Sequence, residues 1–86
     1  GTRVANSPEA RSICDALLAP TPGDLTFPLN RALLAGGLVV DDDEVREAMR
    51  FAYTALKLVV EPGGAVALAA ALSGRLRTAD RTTALV

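Results

Sequence analysis

Lys57-Leu58-Val59-Val60-Glu61-Pro62-Gly63-Gly64-Ala65 divides the C-terminal half of this chain into two helical patterns. Pro62 lacks an N–H and its ring clashes with the preceding turn, so a helix arriving from upstream must end before it. The same residue suits the first position of a new helix, where its N–H would have had no partner. Upstream, Val45, Ala48, Met49, Ala52, Leu56 and Val59 recur at helical spacing and form one apolar stripe. Glu47 and Arg50 lie off that stripe, three apart and able to pair weakly. Downstream, residues 65–72 are apolar without interruption, and Gly74 follows as a stop. A helix that is apolar on every side requires cover on every side.

The start of the first helix is equally marked. Asp41 with Glu44 three residues later is a capping-box spacing, and Val40 with Val45 fits the hydrophobic staple around it. Asp42, Asp43 and Glu44 also suit the positive end of a helix dipole. The run of acids could alternatively serve a metal, but its spacing is that of a helix start. Further upstream, Ser12 to Leu18 could form a short helix, and Pro20-Thr21-Pro22-Gly23-Asp24 is a turn. Phe27 to Ala35 is a third helical pattern, with Gly36-Gly37 as its expected C-cap. Leu38-Val39-Val40 and Thr82-Thr83-Ala84-Leu85-Val86 read as short strands. The second strand and the all-apolar helix both ask for neighbours that the remaining elements are too few to supply.

Composition narrows the function. Half of the 86 residues are hydrophobic, yet most of these are Ala, Leu and Val, and aromatics are limited to Phe27, Phe51 and Tyr53. The expected core is therefore thin. Net charge is −1, with both signs scattered. There is no basic stripe and no stacking series, so no nucleic acid partner is expected. No apolar run approaches the ~20 residues of a membrane span, and the first ten residues lack a signal-like apolar stretch. A single cysteine, Cys14, cannot close an internal disulfide, which makes the cytoplasm the expected compartment. The absence of His excludes a Ser-His-Asp mechanism within these residues and counts against zinc.

Two segments carry a family resemblance. Ser12-Ile13-Cys14-Asp15-Ala16 is similar to the Thr-Ile-Ala-Asp-Gly segment of the threonine dehydratase and serine racemase group of fold-type-II pyridoxal-phosphate enzymes. Lys57-Leu58-Val59-Val60-Glu61-Pro62-Gly63-Gly64-Ala65 resembles that group's Lys-Leu-Val-Val-Glu-Pro-Ala-Gly-Ala segment. Between them, Pro22 to Pro28 and Val40 to Val45 match the group's order of turn, helix, strand and acidic helix start. The resemblance runs from about Arg3 to Val86. It implies an α/β fold class, here a helix-rich piece with about four helices and two short strands, forming residues 1–86 of a partial catalytic domain.

The resemblance also implies a function and a site. The parent enzymes are pyridoxal-phosphate-dependent ammonia-lyases acting on threonine or serine, and this chain would line one wall of the cofactor site. Glu61 would lie beside the cofactor ring, and the backbone at Ala16 would pass close to it. Ala16 stands where the group has Gly, and its Cβ opposes a close backbone approach. The family's Schiff-base Lys segment, its glycine run for phosphate and its Ser-Gly-Gly loop are not in these residues, so the piece is expected to be inactive alone, with no residue here assigned as catalytic. Its expected partner is the rest of the catalytic domain or a second subunit. The alternative is a small helical module that binds a protein through its Ala-rich helix, with no enzymatic role.

Single residues remain open at this level. Lys57 is the sole lysine among nine basic residues. A lone Lys can serve as an amine nucleophile, but a surface Lys laid over apolar neighbours is the favoured reading. Glu61 can be a proton-transfer group, a cofactor neighbour or an N-cap acceptor beside Pro62, and a capping carboxylate can also face a cleft. Gly63-Gly64 could bind an anion at a helix start, although Glu61 opposes that, and close helix packing is the favoured role. Asp15 reads as a polar residue in a short helix, with a site role as the lesser alternative, and Cys14 as buried and inert.

Overall fold

The computed structural model describes residues 2–86 and forms two compact units, one ending at Gly37 and the other spanning Leu38–Val86. Among the described residues there are three α-helices, α1 (Thr26–Leu33), α2 (Asp42–Phe51) and α3 (Val66–Leu72), with no β-strand.

In the first unit the irregular lead-in is tied back by side chains. Asn6 donates its backbone N–H to Pro20 O at 2.7 Å and its side-chain amide to Ala19 O at 2.8 Å. Arg3 pairs with Asp24. The helix expected at residues 12–18 is only a 3-10 turn over Asp15–Leu17. Leu18 leaves helical geometry at φ −92° and ψ 33°, two residues before the Pro20-Thr21-Pro22 run ends any continuation. Helix α1 has Phe27 N–H bonded to Gly23 O at 3.0 Å, and it tolerates Pro28 in its first turn. Its expected cap is corrected. Leu34 turns extended (φ −75°, ψ 133°) and ends α1 before Gly36-Gly37 is reached. Neither of those glycines takes a positive φ.

The second unit holds most of the buried residues. Asp41 caps α2 as expected: the Glu44 N–H donates to Asp41 Oδ1 at 2.8 Å, and the Asp41 N–H donates to Glu44 Oε1 at 3.1 Å. Asp43 pairs with Arg46, and Glu47 with Arg50, along the exposed side. The apolar stripe packs against α3, where Val45, Ala48, Ala52, Ala65 and Ala69 are each 1% exposed or less. Four of those five are alanines, so the two helices approach closely but remove little apolar area from water.

The long helix expected through Val59 ends earlier. After Phe51 the backbone widens into a π turn over Ala52–Leu56. Thr54 Oγ1 donates to Arg50 O at 2.8 Å, a back-bond that loosens and bends the local ladder. Lys57 then enters the left-handed region at φ 59° and ψ 35°, which stops the helix. Val59 lies beyond it, 88% exposed, so it is off the buried stripe. Pro62 does begin the next helical stretch. A 3-10 turn over Gly63–Ala65 leads into α3, and Gly74 closes it at φ 80°.

The strands expected at 38–40 and 82–86 form no ladder among the described residues. A strand requires backbone partners across a gap of ~5 Å, and no neighbouring strand is supplied here. The expectation of four helices and two strands therefore gives way to three α-helices joined by short 3-10 and π turns.

Candidate functional site

The segment from Lys57 to Gly64 presents an exposed amine and an exposed carboxylate in the second unit. Glu61 follows the intermediate Val60 and precedes the turn into α3. Its carbonyl accepts the Gly64 N–H at 3.1 Å. Its carboxylate is exposed, and the start of α3 has no side-chain cap, so the capping role open in the sequence is not used. A Cβ added at Gly64 would meet only Glu61 Cγ, at 3.9 Å, which is ordinary contact. Close helix packing is thus not what Gly64 provides within these residues.

Lys57 is exposed, and its Nζ donates to Thr54 O at 2.7 Å. The amine therefore serves a helix-end carbonyl. The sequence had no local signal for its left-handed backbone, since such positions favour Gly or Asn.

The acidic start of α2 is engaged in structure. Glu44 links Asp41 to Arg75, whose Nη2 donates to Glu44 Oε2 at 2.6 Å. Ser73 Oγ donates to Ala70 O at 2.7 Å and accepts from Arg75 Nε at 3.2 Å. The turn after α3 is so tied to the N-terminus of α2. Arg75 is thirty-one residues from Glu44, and that separation hid the link from sequence reasoning.

In the first unit, Ala16 sits in the 3-10 turn with Asp15 and Leu17, exposed. Cys14 precedes it and is buried at 7% exposure, as expected, with its N–H on Ser12 Oγ at 3.0 Å.

The comparisons decide the family. Residues 1–86 match the pyridoxal-phosphate dependent enzyme family over their whole length. The chain belongs to that family. It is 43% identical over 75 residues to the serine racemase of Oryza sativa subsp. indica, covering 87% of this chain and 22% of the relative. The structure of maize serine racemase superposes with a TM-score of 0.77 at 44% identity, over 84% of this chain and 22% of that one. The crystal structure of a T.th. threonine deaminase gives a TM-score of 0.80 at 35% identity, over 87% and 26% respectively. The chain thus spans about a fifth of the relatives' length. These likenesses place its fold within the parent fold of the fold-type-II enzymes, and they disfavour an unrelated interaction module.

Set against the chemistry of pyridoxal phosphate, the residues of this chain do not make up its site. A Schiff-base amine is activated by a desolvated pocket, whereas Lys57 is exposed at a helix end with its Nζ donating to Thr54 O. A phosphate needs converging donors, and the Gly63-Gly64 turn presents an exposed carboxylate beside it.

Proposed function

We propose that this chain is one wall of the cofactor site of a pyridoxal-phosphate-dependent ammonia-lyase acting on a hydroxy amino acid such as threonine or serine. The observation that carries the reading is the family match across residues 1–86, joined to relatives named for serine and threonine chemistry. When bound, the cofactor supplies an electron sink for the bond broken at the substrate's α-carbon.

Within that reading Glu61 presents its carboxylate to the ring, and Ala16 lines the cofactor through its backbone. Support for Glu61 is its exposure next to the Pro62 turn, with no capping bond to hold it elsewhere. Residues 1–86 act as a single segment of the catalytic domain, in a cytoplasmic enzyme. Among the described residues no helix is long and apolar enough to cross a membrane. Segments 38–40 and 82–86 become strands when the rest of the domain pairs with them, and a second subunit can supply further cover. Their β-branched and apolar residues support this.

The test is spectroscopic. Pyridoxal phosphate is added to this chain and to a protein that also carries the neighbouring segments found in the relatives. Only the longer protein should shift the cofactor's absorbance, and Glu61→Gln should alter that spectrum. An unchanged spectrum in Glu61→Gln removes Glu61 from the site.

A further inference from the structure

The turn that carries Glu61 is aimed by a backbone feature outside it. The helix ends on a π turn, Ala52–Leu56, and then on Lys57 at φ 59°, ψ 35°. Three hydrogen bonds close this end. The Lys57 N–H and the Leu58 N–H both donate back to Ala52 O, the latter at 2.9 Å, and Lys57 Nζ donates to Thr54 O at 2.7 Å. Beyond it Leu58 and Val59 are exposed, so side-chain packing does not set their course. The chain direction through Leu58 and Val59 is therefore imposed at Lys57, ahead of the half-buried Val60 and of Glu61.

A left-handed residue with a Cβ carries a steric cost, and such sites persist only where the surroundings determine them. Here the surroundings are those three bonds. The Leu58 bond can close only if the backbone reverses at Lys57, and the Nζ bond satisfies a carbonyl that the widened turn leaves open. The geometry points to Lys57 as a positioning residue: its left-handed backbone, held by its own amine, sets the exit of the segment that presents Glu61. This deepens the proposed site and rests on Glu61 belonging to it.

The test uses Lys57→Gly, Lys57→Asn, Lys57→Ala and Lys57→Val in the full chain, with the far-UV melting midpoint as readout. A left-handed stop predicts Gly and Asn at or above wild type, with Gly higher by roughly 4 °C. Ala should lie near wild type or below it, and Val lowest. An ordinary helical position predicts the opposite order, with Ala above Gly. Gly falling below Ala overturns the inference, and this comparison stands even if the Val variant fails to fold.

The positioning role is read separately, from the alkylation rate of Glu61→Cys in a Cys14→Ala background. Lys57→Gly and Lys57→Asn should leave the rate within about twofold, while Lys57→Val should change it about tenfold or more, a shift corresponding to ~1.4 kcal/mol. An unchanged rate in Lys57→Val overturns the positioning claim. Neither measurement involves the cofactor, so a cofactor spectrum indifferent to Glu61→Gln would defeat the proposed site while leaving the Lys57 geometry intact.

Discussion

Asp41 and Arg75 reach Glu44 from two directions, and a different oxygen of that carboxylate serves each. Removing the cap in Asp41→Ala should cost about 0.5–2 kcal/mol in thermal or denaturant melts, while Asp41→Asn should lose much less. Magnesium or calcium should leave the melting midpoint of the wild-type chain unchanged, because these acids are committed to capping and pairing. A clear metal-dependent rise that disappears in Asp41→Ala would contradict that assignment. The Arg75 pair is half exposed, so a double-mutant cycle with Glu44→Gln and Arg75→Gln should return a coupling of only about 0.2–1 kcal/mol. The cap was legible from four consecutive letters, because its partners are three residues apart. Arg75 was not, because its partnership depends on how α3 returns along α2.

At the scale of elements, the α2–α3 contact turns on small side chains. Ala48 is fully buried and Ala69 nearly so. Replacing either with Leu should force the helices apart and cost about 1–3 kcal/mol. Ala55→Leu, on the exposed π turn, is the control and should fall within about 0.5 kcal/mol of wild type. Equal loss at Ala48 and Ala55 would mean that the helices are not closely packed. Periodicity located this interface correctly at Val45, Ala48 and Ala52. It overran at Leu56 and Val59 because 3.6-residue spacing is indifferent to a π turn, and nothing in Thr54 or Lys57 announces one. Pro62 and Gly74 were legible as punctuation since each acts through its own backbone. Gly36-Gly37 misled for the converse reason: a residue permitted to end a helix does not compel the ending, and Leu34 had already turned away.

Across the whole molecule, apolar residues remain outside in number. Leu25, Val39 and Val59 are each more than four-fifths exposed, and Leu29, Leu33 and Leu34 are more than half exposed. Soluble proteins rarely leave so much uncovered without a surface to meet it. The 86-residue chain should bind the dye ANS at this uncovered surface while its helices still melt in a single far-UV transition. Adding the neighbouring segments of the relatives should abolish dye binding. A chain that binds no dye and sediments as a monomer would remove this physical support for the wall reading. Pyridoxal phosphate followed by borohydride should likewise leave Lys57 without stoichiometric label. The strands expected at 38–40 and 82–86 were overread, because an apolar β-branched run marks only a tendency whereas a ladder is a property of two paired segments.

Cys14 gives the chain a built-in clock. It is the sole thiol, buried at 7% exposure and joined to no other sulfur. A thiol reagent can reach it only during the intervals when its surroundings part, so the labelling rate divided by that of a free thiol gives the fraction of time spent open. The protein thereby times its own local breathing with one sulfur atom, and no introduced probe is required.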